Sequence, residues 1–515
     1  MTKWFSQTAL LGIVLGVVYL VFLHPYLDMT LTSAHDPASY LLRAESFWST
    51  YRYGELFADG FFPVTSQMPG LTLLLIPLVG IFGVNFVVLK LFMVLLAGGM
   101  AVAAGIFFRR FLEPEQKPEW ATLVLMASPV VFMLAHRILA EIPLVLFVML
   151  ALVWMDRYLR EEGPVVSRTL FGAVIFITAA YLMKITALGL MAGGWFLLVH
   201  KRYRTPAVFR KLLACSLMVA VPVLLWEWWC STVPMRGYWA KPPILLFVDK
   251  DPMAVHYTGM ISAGEFLVKV RHNLLWGMLG SVGTVFNPPL FFVYSEMKGV
   301  VLSIPFVLWL AFMWIRSFRR QPSVLEGFVL FGLMLLSVAT AGYAHRYMMP
   351  LFPAFIVYGF RSLEGAWRLW VPRAVFALGF AASVVVGIQQ WVNPYGTPEV
   401  RDYLAIAREA NSRYGKGTVG ITPLPAHWQV LTDHRSFAGD TAGFDAIRRG
   451  DRSVRYAVGF PEGKNLGLSD PRKMENVTGD LLKRTLKITR WIWLNGGKLK
   501  LVARNGTFGL YEVVP

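Results

Sequence analysis

"LLGIVLGVVYLVFLHPYLDMTLTSAHDPASYLLRAESF", residues 10–47, joins two kinds of sequence that rarely sit together. Its first part is an unbroken apolar run, close to the 17–25 residues that cross a bilayer as one helix. Its second part returns abruptly to charge at His35-Asp36-Pro37. Ala38, Leu41, Leu42 and Phe47 then repeat at helical spacing, with Arg43 and Glu45 expected to face other ways. The reading is a membrane helix that delivers a carboxylate to the surface, followed by an amphipathic helix lying along that surface. The chain begins "MTKWFSQ", a basic start before an apolar core, but no small-x-small cleavage site follows. An uncleaved first membrane helix is expected.

The rest of the chain agrees. Of its 515 residues, 56% are hydrophobic and only 16% charged, which places the protein in the membrane class. The net charge of +18 is concentrated in short clusters between apolar runs. These are Arg109/Arg110/Lys117, Arg157/Arg160/Arg168, Lys201/Arg202/Arg204/Arg210/Lys211, Arg316/Arg319/Arg320 and Arg361/Arg368/Arg373. Such spacing marks cytoplasmic loops and argues against nucleic acid as a partner. Apolar runs fall near 8–24, 85–108, 119–135, 138–156, 168–183, 185–200, 211–231, 297–316, 325–343, 347–361 and 373–391. Taken as about eleven crossings, they put the N-terminus inside and the C-terminus outside. Segments 69–83 and 276–295 are expected to be short or re-entrant, because Pro69-Gly70 and Asn287-Pro288-Pro289 interrupt a helix. With them the fold is mainly α, a polytopic bundle of about 11–13 membrane segments. Cys215 and Cys230 have neither disulfide nor metal spacing and read as small core residues.

Two outer loops, 25–68 and 232–275, interrupt the membrane region 1–391. Residues 392–515 have an ordinary soluble composition and form a small α/β domain outside the membrane. "TPEVRDYLAIAREANSRYG" predicts a helix with a Thr-Pro start, while "GTVGI", "RYAVGF", "KLKLVA" and "FGLYEV" predict strands.

On this topology the chemistry-bearing residues gather on one side of the membrane. They are Asp36 with Tyr40 and Arg43, then His136, Arg137 and Glu141 in "LAHRILAEIP", Lys184 in "YLMKITALGL", and His345, Arg346 and Tyr347 in "HRYMMPLFPAF". Ionisable groups at membrane depth are costly and mark functional sites by default. Each also has a plainer reading. Asp36 before Pro37 fits a helix cap, Arg137 and Glu141 fit a helix salt bridge, and Lys184 and Arg346 could snorkel from helix ends. Together, two carboxylates and several cations suit sugar transfer from a polyprenyl phosphate. An acceptor hydroxyl needs a base, for which Asp36 is the candidate, while the departing phosphate needs cations more than an acid. Lys184 offers a point charge for it and Arg346 a bidentate fork.

The order "DPASY", "RILAEIP", "LMKITAL" and "HRYMMPLFP" resembles the class C integral-membrane glycosyltransferases, most closely their protein O-mannosyltransferase and aminoarabinose-transferase branch. The resemblance implies an outer-face cavity entered by a lipid donor. It matches the family's first-loop acid with Asp36, its second-loop acid with Glu141, its cavity lysine with Lys184, and its R-Y-x-x-P segment with Arg346, Tyr347 and Pro350. Two features depart from it. Pro37 stands where a second acid often follows the first, and the second-loop acid is Glu rather than Asp. Donor sugar (hexose or pentose), acceptor (lipid, glycan or protein) and metal use therefore stay open. No cofactor is demanded, and a divalent cation between two carboxylates and one His is possible. The expected protein is a bacterial inner-membrane glycosyltransferase working with inversion, in contact with membrane lipids and modifying an envelope glycan or lipid. An O-antigen ligase or polymerase, or a lipid or sugar transporter, is the alternative.

Overall fold

The computed structural model describes residues 2–23, 35–58, 60–64, 67–233, 260–274, 280–292, 297–320, 322–339, 345–392, 398–432, 434–437, 440–449, 453–459, 461, 485, 488–489, 491–492, 499–505 and 507–514. Residues 25–34 of the first predicted outer loop and 234–259 of the second therefore lie outside the described residues.

The chain opens with α1 (Thr2–Val21), α2 (His35–Thr50), a hairpin of β1 (Gly54–Phe57) and β2 (Gly60–Pro63), then α3 (Gly70–Phe82) and α4 (Phe86–Phe111). Next come α5 (Pro118–Met126), α6 (Pro129–Ala135), α7 (Glu141–Arg160), α8 (Arg168–Met183), α9 (Gly189–Phe196) and α10 (Pro206–Thr232). The second half of the bundle holds α11 (Ala263–His272), α12 (Gly280–Phe286), α13 (Met297–Arg320), α14 (Val324–Ala339), α15 (His345–Met348), α16 (Phe352–Ser362) and α17 (Trp367–Val392).

Five of these helices, α4, α7, α10, α13 and α17, are long and apolar enough to cross a membrane, and the bent pair α5–α6 makes six. The protein is a polytopic helical bundle, with fewer full-length single-helix crossings among the described residues than the eleven apolar runs suggest. Proline and short helices interrupt several of those runs. Pro129 removes a backbone donor, and α6 leaves α5 at 55°. The run 185–200 divides into a 3₁₀ turn, α9 and a second 3₁₀ turn. Pro350 and Pro353 divide 347–361 in the same way. Helix α3, with 13 residues, is about 20 Å long and shorter than a bilayer core. At 276–295, α12 ends at Phe286 and a 3₁₀ turn spans Pro288–Phe292, so the expected break is there.

Helix α7 is the buried axis of the bundle and packs on α4 and α8. Helix α10 instead presents Leu217, Val221, Leu224 and Trp228 outward, a surface suited to lipid. Helices α9 and α14 meet where a Cβ on Gly193 would lie 2.5 Å from Phe328 N. Gly70 is equally constrained, since a Cβ there would lie 2.6 Å from Leu182 O, against the end of α8. Cys215 and Cys230 are buried.

The last part of the chain folds as α18 (Pro398–Arg413), β3 (Val419–Ile421), α19 (Pro425–Thr432), β4 (Arg435–Ser436), α20 (Asp440–Arg448), β5 (Val454–Gly459), β6 (Leu499–Asn505) and β7 (Phe508–Val513). Its sheet runs β4-β3-β5-β7-β6, parallel through the first three strands and antiparallel beyond them. Helix α18 and strands β3, β5, β6 and β7 lie on the segments whose patterns predict them. A buried aromatic knot holds this unit. Trp428 Nε1 donates to Tyr456 Oη at 2.6 Å, and His434 Nδ1 lies 2.8 Å from the same oxygen. Helix α19 packs against α2, and Ala58 N donates to Ser436 O at 2.9 Å. The sheet unit thus touches the helix that carries Asp36.

Candidate active site

Three helix ends and one short helix converge here. Asp36 sits in the first turn of α2 and Glu141 starts α7, so each carboxylate lies at the positive end of a helix dipole. Lys184 follows the last residue of α8 in extended backbone, where a cation complements the negative end. Arg346 comes from α15.

Their side chains form a continuous ion-pair chain. Arg346 Nη1 lies 3.0 Å from Asp36 Oδ2 and 3.6 Å from Glu141 Oε1. The same Glu141 oxygen accepts from Lys184 Nζ at 2.6 Å. Two carboxylates and two cations make the cluster formally neutral. The Glu141 side chain is 1% exposed and that of Asp36 22%, so the second acid is sealed in and the first reaches open space. Glu141 Oε2 and Arg346 Nε are buried with no hydrogen-bond partner among the described residues.

Tyr347 closes one side. Its hydroxyl accepts from Arg346 Nη2 at 2.8 Å, and Lys184 Nζ stands 4.4 Å from its ring centre. Tyr40 follows Asp36 by one turn of α2, with Arg43 over its ring at 5.1 Å. Burial holds the Tyr40 hydroxyl well above its ordinary pKa, reinforced by the charges of Asp36 and Glu141. It stays protonated.

Several predicted residues lie apart from this group. His136 is buried, with ring nitrogens 2.7 Å from Phe132 O and 2.6 Å from Tyr19 O, and it straps α6 to α1. Arg137 is buried in the turn between α6 and α7. Arg137 and Glu141 do not share a helix, because α6 ends at Ala135 and α7 begins at Glu141. The His345 side chain lies outside the described residues. Arg43, expected to face away from the apolar side of α2, is instead fully buried. Its guanidinium finds Glu55 Oε1 at 3.2 Å, Gln67 Oε1 and Tyr53 Oη, which satisfy it there. Asp36 does not spend its carboxylate on a helix cap. Gln67 Nε2 donates to Oδ1 at 3.1 Å and Arg346 takes Oδ2.

Gln67, Glu55 and Tyr53 escaped the sequence reading. One signal for an acid was present, since Arg43 lies three residues after Tyr40 and four before Phe47, on an inward face. The donor set does not suit a divalent ion. Lys184 and Arg346 already fill the space between the carboxylates, and no group of three His, Cys, Asp or Glu fit to hold a metal occurs among the described residues.

A second charged cluster lies about 22 Å away along α7. There Asp156 pairs with Arg110 at 2.6 Å and with Arg160 at 3.0 Å. One end of α7 thus lies at the candidate site, and the other carries Arg157 and Arg160 and pairs through Asp156 with Arg110 of α4.

No protein-family model matches the sequence, and no curated protein sequence does. Solved structures do match. ArnT from Cupriavidus metallidurans, bound to undecaprenyl phosphate, superposes with a TM-score of 0.56 at 14% identity, over 99% of this chain and 98% of its own. The fold is that of the class C membrane glycosyltransferases. The archaeal oligosaccharyltransferase AglB from Archaeoglobus fulgidus, in complex with an inhibitory peptide and a dolichol-phosphate, matches with a TM-score of 0.51 at 11% identity, over 95% of this chain and 72% of its own. A mutant of arabinofuranosyltransferase AftD from Mycobacteria matches with a TM-score of 0.50 at 12% identity, over 100% of this chain but only 42% of its own. At these identities the class C likeness is one of fold.

Proposed function

We propose that the protein transfers a sugar from a polyprenyl-phosphate donor to an acceptor on the outer face of a bacterial inner membrane. The observation that carries this reading is the Asp36–Arg346–Glu141–Lys184 chain, built at converging helix ends on a class C fold. ArnT, the neighbour bound to undecaprenyl phosphate, supports the donor class.

In this reading the donor phosphate enters beside Lys184 and Arg346. It competes with Asp36 for the guanidinium and releases Oδ2, which then takes the proton of the acceptor nucleophile. That nucleophile attacks the anomeric carbon opposite the phosphate, so the sugar inverts. The leaving phosphate gathers its charge against Lys184 and Arg346, whose positions are set in advance by buried Glu141. Tyr347 keeps both cations aligned. Residues 1–391 form the membrane domain and 392–515 an outer domain, with the N-terminus cytoplasmic.

The test is direct. Purified protein in lipid nanodiscs is incubated with a panel of undecaprenyl-phosphate hexoses and pentoses, together with an envelope lipid and glycan extract. Consumption of one donor, lost in Asp36→Asn, supports the reading. A wild type that consumes no donor overturns it, whereas equal consumption by the wild type and Asp36→Asn removes only Asp36 as the base.

A further inference from the structure

Gln67 lies between Arg43 and Asp36, and its amide has two unlike ends. Arg43 Nη2 donates to Gln67 Oε1, while Gln67 Nε2 donates to Asp36 Oδ1 at 3.1 Å. A guanidinium has only donors. Arg43 therefore dictates which end of the amide faces Asp36, and the end left for the carboxylate is the NH₂. Glu55 fixes Arg43 in turn, through an Nε–Oε1 contact of 3.2 Å between side chains that are 0% and 1% exposed. Tyr53 adds a brace. Its hydroxyl accepts from Arg43 Nη1 at 3.4 Å and donates to the Gln67 carbonyl at 3.4 Å.

We propose that Gln67 is a positioning residue for Asp36, with Arg43 and Glu55 setting the polarity of its amide. The inference rests on the reading of Asp36 as the base. Among the described residues, the only other hydrogen-bond partner of Asp36 is Arg346, the cation assigned to the donor phosphate. A carboxylate held by Arg346 alone would follow the guanidinium when the donor arrives. Gln67 holds Oδ1 from the opposite side, so Oδ2 stays aimed at the acceptor after Arg346 is drawn away. The charge of Arg43 is balanced by Glu55 and acts on Asp36 through an amide rather than on the substrate.

Two substitutions separate this role from simple packing. Gln67→Met keeps the volume and loses both polar contacts. Gln67→Glu keeps an acceptor for Arg43 and replaces the donor toward Asp36 with a second carboxylate oxygen. Rates are measured in nanodiscs with the undecaprenyl-phosphate sugar that the wild type consumes, and undecaprenyl phosphate alone serves as the binding probe. Both variants should lower kcat by about tenfold or more, with undecaprenyl phosphate affinity within about twofold of wild type. In an Asp36→Asn background, Gln67→Met should cause no further loss, because residues acting as one unit are not additive. Wild-type turnover in Gln67→Glu overturns the proposal, since contact with Arg43 would then suffice. A full additional loss in the double variant overturns it as well. An Asp36→Asn enzyme with near-normal turnover removes the base reading itself, whereas unimpaired Gln67 variants beside an inactive Asp36→Asn remove only the positioning role.

Discussion

Lys184 Nζ and Glu141 Oε1, 43 residues apart, meet at 2.6 Å and join the end of α8 to the start of α7. The carboxylate is almost fully buried, so the pair is structural as well as electrostatic. Lys184→Ala should weaken undecaprenyl phosphate binding about tenfold, equivalent to 1.4 kcal/mol. It should also lower stability by about 2–3 kcal/mol, less than the 3–5 of an isolated buried pair, because Arg346 still faces Glu141. Adding Glu141→Gln removes the stranded charge and should recover much of that stability without restoring binding. Thermal scanning and a lipid-binding titration on the same samples distinguish the two effects. A double variant that binds normally rules out the phosphate role of Lys184.

Close packing between α9 and α14 gives a second prediction. Gly193→Ala places a methyl group 2.5 Å from the Phe328 backbone nitrogen, and neither backbone can yield without parting the helices. Overpacking of this kind costs about 1–3 kcal/mol. A thermal midpoint equal to wild type would show that the crossing has slack.

What the sequence reveals and what it hides follow from the range of each interaction. Apolar length is a local property, so α1, α4, α10, α13 and α17 stand out at once. The strands from Val419 and Val454 and those after Lys498 stand out for the same reason, through alternation between turn residues. The bend between α5 and α6 was written in Ser128-Pro129 but hidden by the apolar residues on both sides. Lys184 and Glu141 are conspicuous as charges in greasy surroundings, yet nothing local says that they touch. His136 is equally conspicuous, but its ring nitrogens face two backbone carbonyls, which no side-chain pattern encodes. Gln67 is the hardest case. A neutral amide in a loop is unremarkable until Arg43 and Asp36 close around it.

Orientation is tested by reporters. The proposed topology puts the sheet unit outside, with α19 packed against α2. A periplasm-dependent phosphatase fused after Pro515 should be active in a bacterial host, and a cytoplasm-dependent reporter at the same place should be silent. The reverse result would place the charged cluster on the cytoplasmic side and remove the outer-face reaction.

Asp36→Asn is the most discriminating change. A capping Asp tolerates Asn, because Asn caps a helix about as well. In this structure α2 already includes His35, and the Asp36 carboxylate is turned toward Gln67 and Arg346. Asn at this position keeps one oxygen for Arg346 and loses the capacity to take a proton. Folding should be near normal, with a thermal midpoint close to that of wild type. Undecaprenyl phosphate should bind at least as well, since a neutral amide oxygen competes for Arg346 more weakly than the carboxylate. Transfer should nonetheless fall by about 10²–10⁴, the usual contribution of a general base. Tighter lipid binding together with lost transfer is a combination that neither a cap nor a phosphate ligand produces. Turnover within a few-fold of wild type would reduce Asp36 to a counter-ion of Arg346 and leave Glu141, whose Oε2 has no partner among the described residues, as the remaining carboxylate for the role.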